Sequence, residues 1–234
     1  AVIECLKWKK KIAIVQPNYI PWIGYFEIIN QVDEFIFLDD VQFTKRDWRN
    51  RNYINSNQGK ILLSIPVITK NKYLQKIFET ECINNDWKKN HLEIIKNSYK
   101  NYPNFEQIYE ILNKSFYKTN STNLLTNLYN IFFELLKFLK IKTKISFSKD
   151  FPSNEKKLER LIELCHHKNA NIYLSGPLAA NYIEEDRIFK SGLTLEYMKY
   201  KKYIYKVKNA NHKFINNLSI IDLLMNEGSD SYLF

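Results

Sequence analysis

The chain has 234 residues, 35 Lys+Arg against 25 Asp+Glu, a formal net charge of +10 and 45% hydrophobic residues. This length predicts one domain, or one domain with a subdomain, built on a sizeable core, and the hydrophobic content excludes disorder as the main state. An apolar run of about 18 residues is missing, which excludes a membrane-spanning helix, and the start of the chain has neither the apolar stretch nor the small-residue cleavage site of a secretory signal.

Lys11–Val15 reads as a short buried strand that stops at Gln16-Pro17, since proline cannot donate to a ladder. After the loop Asn18-Tyr19-Ile20-Pro21, Trp22–Gln31 reads as a helix with Ile23, Phe26, Ile28 and Ile29 on its apolar positions, and Phe35–Leu38 as a second buried strand ended by Asp39-Asp40. Strand, helix, strand is a βαβ unit with a parallel pair and a right-handed crossover. Ile61–Val67 reads as a strand ended near Pro66. Asp86–Tyr99 is predicted as a helix capped by Asp86, with Leu92, Ile95 and Tyr99 facing inward. Asn104–Phe116 and Ser121–Leu139 are further helices, and the second has an apolar face (Leu124, Leu128, Ile131, Phe132, Leu135, Leu139) that could join copies of the chain into a homo-oligomer.

Lys144–Ser148 is predicted as a strand, Ser153–Lys168 as a helix, Asn171–Leu174 as a strand entering Ser175-Gly176, and Leu193–Met198 as a late strand. Ser219 caps a closing helix to Asn226 with Gly228 just beyond it. The alternation predicts an α/β fold: a mainly parallel, Rossmann-like sheet flanked by helices, with a mostly helical segment at 86–140. The expected organisation is an N-terminal extension over residues 1–10 followed by a single domain over 11–234.

The lysines are scattered, with short clusters at 7–11 and 199–206, and their abundance beside Asn and Ile fits the composition of an AT-rich genome; an anionic substrate is the alternative. Cys5, Cys82 and Cys165 form neither a metal spacing nor an even disulfide set, which fits a reducing, cytoplasmic compartment. The densest concentration of chemistry follows the first two strands. Gln16, Tyr19, Trp22 and Tyr25 come after the first, and Asp39, Asp40 and Gln42 after the second. In open parallel sheets ligands bind beyond those carboxyl edges, so both loops are expected to open onto one crevice. Lys45, Trp48, Asn50, Arg51 and Asn52 then put cations, amides and an indole face into one short loop, a set suited to a phosphate and a base or sugar.

Asp39 and Asp40 alternate in direction on an extended chain, so one of them is expected to face the crevice as a general base, a sugar-hydroxyl acceptor or a Mg²⁺ ligand; the alternative is a strand-ending turn capped by its own carboxylates. His91 sits one turn after Trp87 and is either an acid or base of the site or a half-exposed helical histidine. His166-His167 reads as a helix-end pair, His212 as a loop residue, and no histidine pair has zinc spacing. Ser175 with Gly176 could hold an anion through backbone amides. The chain lacks G-x-S-x-G, Walker A and G-x-G-x-x-G patterns, which excludes a hydrolase nucleophile elbow and nucleotide binding by those routes. Cys165 reads as buried and inert. Asp222 reads as either a solvated residue of the closing helix or a partner for a basic core group.

Gln16-Pro17-Asn18-Tyr19-Ile20-Pro21-Trp22-Ile23-Gly24-Tyr25-Phe26, Leu38-Asp39-Asp40-Val41-Gln42-Phe43 and Trp48-Arg49-Asn50-Arg51-Asn52 resemble the WbqC-like protein family. Trp87–His91, Tyr173–Gly176 and Leu218–Asn226 with Gly228 agree, so the resemblance covers residues 11–228 and leaves 1–10 outside. The chain departs from the family pattern near Lys206, where a glutamine is expected. The resemblance implies a place among products of bacterial O-antigen and capsule loci, beside enzymes that make nucleotide-linked amino sugars. A more distant similarity sets Pro21–Tyr25 where nucleotidylyl transferases such as pantothenate synthetases carry H-x-G-H, and Asp39–Phe43 where those synthetases have N-P-x-Q-F; both histidines are lacking here, so a shared fold need not mean shared chemistry.

The resulting expectation is a cytoplasmic transferase that places a small acyl group on the amine of a nucleotide-linked sugar. Asp40 or His91 would take the amine proton, Arg51 and Lys45 would hold phosphates, and Trp22 or Trp48 would stack on a ring. The expected partners are a nucleotide-linked sugar and an acyl donor, without nucleic acid; no cofactor and no metal is named. The alternatives are a nucleotidylyl or adenylate-forming transferase of the same fold, a non-catalytic binding protein of a polysaccharide assembly complex, and a nucleic-acid binder.

Overall fold

The short apolar runs rich in Ile, Phe and Tyr form strands because β-branched and aromatic side chains pack well on a pleated surface buried on both faces. The computed structural model describes residues 9–181 and 183–233. Cys5, Lys7 and residues 1–8 of the expected extension lie outside the described residues. In chain order the elements are β1 (Lys11–Val15), α1 (Ile23–Asn30), β2 (Glu34–Phe37), β3 (Arg51–Ile54), β4 (Ile61–Ser64), α2 (Asp86–Tyr99), α3 (Phe105–Phe116), α4 (Leu124–Phe138), β5 (Lys144–Phe147), α5 (Lys157–His167), β6 (Ile172–Ser175), α6 (Glu185–Lys190), β7 (Thr194–Tyr197) and α7 (Ile220–Glu227). Contacts divide the chain into two compact units: one holds the residues through Val15, 28–38 and 143–200, the other 16–27, 39–142 and 201 onward.

The first unit carries a five-stranded sheet in the order β5-β2-β1-β6-β7. Every pairing in it is parallel, with Ala13 opposite Phe35 on one side and opposite Leu174 on the other. The chain builds outward from β1 first in one direction and then in the other, so the topological switch point lies between β1 and β6, the position where Rossmann-like sheets receive ligands. Ile12, Ile14 and Ile36 pack with Ile162, Leu164 and Cys165 of α5, and with Tyr173, Ile188 and Leu193. Glu34, at the start of β2, is fully buried among cations: Lys10 Nζ lies 2.6 Å and Lys168 Nζ 3.0 Å from its carboxylate, with Lys144 at 3.7 Å. Ser146 donates to the same carboxylate. Burial works against the charge, but the hydrogen bonds from Lys10, Ser146 and Lys168 outweigh it and hold the carboxyl at about 2.

The second unit packs α2, α3, α4 and α7 with the antiparallel hairpin β3–β4. Phe26 stacks on Phe132 of α4 with centroids 5.5 Å apart, and Tyr25 meets the same ring edge-on at 6.2 Å. Leu124, Leu128, Ile131, Phe132, Leu135 and Leu139 are all buried within the molecule. The apolar face expected to join copies is therefore already covered by the chain itself. Among the described residues Asp222 is neither solvated nor paired with a cation: it is buried and accepts hydrogen bonds from Tyr99 (2.8 Å) and Tyr205 (2.7 Å). Burial pushes its carboxyl up, against the pull of those two hydroxyls. His212, also buried, bridges Tyr102 (2.6 Å) and Asn57 (2.6 Å).

Several element ends differ from the sequence reading for local reasons. Asp86 is the first helical residue rather than the cap, which is Asn85. α5 begins at Lys157 because the Ser153 hydroxyl accepts from Glu155 N in a tight turn instead of opening the helix. β4 ends at Ser64, ahead of Pro66. β3 falls where a loop was expected. Its buried positions are Asn52 and Ile54, and a buried asparagine hides the apolar alternation that marks a strand.

Glu34→Gln is expected to destabilise the protein by about 3 kcal/mol, since it leaves the half-buried Lys10 and Lys168 without their counter-charge. Because the folded carboxyl is depressed from 4.5 to about 2, its stabilising contribution is complete above pH 4.5 and is lost as pH falls towards 2. Urea unfolding at pH 7 and pH 3, on the parent and the variant, measures both: the gap between the two proteins should shrink at the lower pH.

Candidate functional site

Gln16 follows β1 directly, and the loop it opens has unusual backbone needs. Pro17 and Pro21 bring no N–H, and Ile20 adopts a positive φ of 36°. The loop makes few bonds to itself, and donors elsewhere in the second unit take up its carbonyls. Tyr25 Oη donates to Gln16 O (2.8 Å), Arg49 Nη1 to Pro17 O (3.3 Å), and the Asn52 side-chain amide to both Tyr19 O (3.1 Å) and Ile20 O (2.9 Å). The amide of Ile220 donates to Pro21 O at 2.9 Å. Tyr19 N donates to Trp48 O at 2.9 Å, and Arg49 also donates to Asn18 Oδ1. These bonds hold Gln16–Trp22 against Trp48–Asn52.

Arg49 was not among the residues singled out from the sequence, yet it is the hinge pin between the two segments. Its side chain is 12% exposed and pairs with Asp47 at 3.2 Å. Burial opposes the charge of Asp47, but Arg49, the Trp48 amide and Thr44 hold its carboxyl below the usual range. The Asp47-x-Arg49 spacing was the available sign of this pair. Trp22 folds back over α1, where a Cβ on Gly24 would lie 2.3 Å from the indole; glycine is required there by close approach. Its ring meets Tyr203 edge-on at 6.0 Å.

The segment after β2 is held by other partners. Phe78 N donates to Asp39 O (3.1 Å), Ile77 N to Val41 O (2.9 Å) and Phe43 N to Gln75 O (2.9 Å). Asp39 is fully buried and accepts from Tyr129 Oη at 2.9 Å, whereas Asp40 is half-buried. The two carboxylates differ in burial, and Asp40 is the more open one. Gln42 is exposed and donates to Tyr73 O at 2.9 Å.

His91 is neither half-exposed nor open to solvent. It is 2% exposed, with Nδ1 2.8 Å from Tyr19 Oη and a second hydrogen bond to the Ser64 backbone. Burial lowers its pKa to about 4; the Ser64 bond works in the opposite sense, as a carbonyl acceptor does. The ring is therefore neutral at pH 7, holding its proton toward Ser64 and accepting from Tyr19. Tyr19 is fully buried, and its ring meets Trp87 edge-on at 6.0 Å.

The candidate residues divide by what their side chains already do. Tyr19, Tyr25 and Asn52 are buried, with their polar atoms on the backbone or on His91. Asn50 is buried too and donates to Ile65 O (2.8 Å), but its Oδ1 accepts no bond among the described residues. Gln16 Oε1, Arg49 Nε and Arg51 Nε are likewise buried without a partner among those residues. Arg51 gives Nη2 to the Arg46 carbonyl. Trp48 is 45% exposed, with its ring edge-on to Tyr53 at 6.2 Å, and Lys45 is exposed. Ser175 belongs to the first unit; it ends β6, is 6% exposed, and its carbonyl accepts from Met198 N at 2.7 Å. Among the described residues no group of three or more His, Cys, Asp or Glu could hold a metal ion.

A Rossmann-like parallel sheet whose first strand runs into a proline loop fastened by buried asparagine and arginine defines an α/β protein with a polar motif region at residues 16–52. Residues 16–233 match the WbqC-like protein family, and the chain belongs to it. It is 38% identical over 222 residues to the protein called "Uncharacterized protein Rv1507c" of Mycobacterium tuberculosis, a match covering 95% of this chain and 96% of that one. No solved structure matches the chain.

Tyr19→Phe should cost about 1–2 kcal/mol in unfolding free energy, because it removes the donor to a buried ring nitrogen. With the folded pKa of His91 lowered from 6.5 to about 4, its contribution is present above pH 6.5 and lost as pH falls through that window. His91→Gln should therefore flatten part of the decline in unfolding free energy between pH 6.5 and 4; an unaltered slope would contradict the neutral, buried ring.

Proposed function

We propose that this protein is a cytoplasmic transferase of surface-polysaccharide sugar biosynthesis that places a small acyl group on the amine of a nucleotide-linked amino sugar. The observation that carries the reading is the set of buried polar atoms left without partners in two adjoining segments: Gln16 Oε1, Asn50 Oδ1 and the Nε atoms of Arg49 and Arg51. Such atoms also occur elsewhere, as at Gln75 Oε1 and Asn127 Oδ1, but here they fall together in two short segments, where a polar ligand would answer them.

Arg51 and Lys45 hold the phosphates, and Trp48, the more exposed indole, stacks on the base or sugar ring. Asp40 serves as the base: it takes the proton from the sugar amine as the amine attacks the acyl carbonyl and the donor's leaving group departs. His91, sealed inside and neutral, is better suited to fixing Tyr19 than to meeting substrate.

A thermal-shift screen of UDP-, GDP- and dTDP-amino sugars, combined with acyl-CoA, formyl-folate or nucleoside triphosphates, tests the proposal. An amino-sugar nucleotide should raise the melting temperature. Arg51→Ala should weaken that ligand about tenfold or more. Asp40→Asn should leave binding in place and slow acyl transfer by about 10²-fold or more. If only nucleoside triphosphates bind, the nucleotidylyl reading replaces this one; if neither variant differs from the parent, the site is misplaced.

A further inference from the structure

We infer that the finger at residues 68–76 is a docking element for an anionic lipid surface. The finger is built rigidly. Its base is closed by an antiparallel bridge between Val67 and Cys82, by Ile68 N donating to Glu81 O (2.8 Å), and by the Gln75 side chain donating to Ile68 O (2.8 Å). Two turns form its tip, Lys72 N to Thr69 O and Gln75 N to Lys72 O, each 3.3 Å, with Asn71 in the left-handed region at φ 59°. The segment after β2 braces it from the side through Gln42 to Tyr73 O (2.9 Å) and Phe43 N to Gln75 O (2.9 Å).

This braced turn displays Tyr73 and Leu74, each 77% exposed. Adjacent large apolar side chains held out on an ordered turn are not an unavoidable surface residue of folding; they are presented. The finger itself carries one sign of charge. From Pro66 to Lys76 the sequence holds Lys70, Lys72 and Lys76 and no acidic residue. Glu79, the first carboxylate after the finger, is exposed and accepts from the backbone N–H of Lys76.

A tyrosine and a leucine ringed by lysines match the headgroup boundary of a bilayer. The ring and the isobutyl group enter the apolar region, the phenol stays among headgroups, and the ammonium groups meet lipid phosphates. A protein partner suits this face less well. Protein interfaces need a fitted patch of about 800 Å² on each side and are depleted in lysine, whereas a two-residue wedge with flexible cations asks only for a soft anionic surface.

The test is flotation of the full chain with phosphatidylglycerol–phosphatidylcholine vesicles and with pure phosphatidylcholine vesicles. Binding is expected to the anionic vesicles, to weaken steeply with salt, and to be slight on the neutral ones. Lys70→Glu with Lys72→Glu should weaken binding by about thirtyfold or more, and Tyr73→Ser with Leu74→Ser by about tenfold or more. Lys89→Glu with Lys96→Glu, exposed on α2 and equal in charge change, should alter it by less than about twofold. The inference is overturned if the chain ignores anionic vesicles, if the α2 pair costs as much as the finger pair, or if the finger instead retains a soluble protein or an RNA. These variants leave the sugar-nucleotide residues untouched, so the thermal-shift response and vesicle binding can fail separately.

Discussion

The backbone of residues 16–21 must be hydrogen-bonded, and it cannot satisfy itself. Two prolines remove donors, a positive φ at Ile20 breaks any regular ladder, and the loop's buried positions shut water out. Side chains outside the loop therefore supply the donors: Tyr25 from the helix that follows and, from further along the chain, Arg49 and, with one amide serving two carbonyls, Asn52. The hairpin, the loop and the start of α7 are mutually positioned by this arrangement. The polar residues that make residues 16–52 look so rich in chemistry are in large part the fastenings of that loop.

A second theme is how the fold treats ionisable groups that it takes out of water. Glu34 stays charged because two lysines and a serine surround it. His91 gives up its charge, since its two neighbours are a tyrosine hydroxyl and a backbone carbonyl, neither of which rewards a cation enough to offset burial. Asp222 is met by two tyrosine hydroxyls instead of a cation. Each group is satisfied, but by different chemistry, and only the first is an ion cluster.

The family motif thus contains two sets of polar residues. Tyr19, Tyr25, Arg49 and Asn52 shape the loop; Gln16, Asp40, Lys45, Trp48 and Arg51 retain exposure or unanswered hydrogen-bonding capacity. The separation matters for mutagenesis, because losing a member of the first set removes the platform for the second. The finger stands apart from both. It shares the bracing of the segment after β2 but exposes apolar and basic groups that neither set uses.

Local pattern was sufficient for much of the architecture. The strands at Lys11–Val15, Lys144–Phe147 and around Leu174, the helices α2, α3 and α4, the Ser219 cap and the parallel βαβ opening all follow from short-range periodicity, proline and capping chemistry. The dense polar segments after the first two strands were equally visible in the amino acids themselves. Only the tertiary structure decided which polar side chains face inward, because an asparagine that binds a ligand and one that binds a distant carbonyl are the same residue in sequence. For that reason β3 read as a loop, Arg49 went unnoticed, His91 looked half-exposed and Asp222 stayed ambiguous. In each case the partner lies far along the chain, and burial with hydrogen bonding is settled by what packs alongside, which no local window contains.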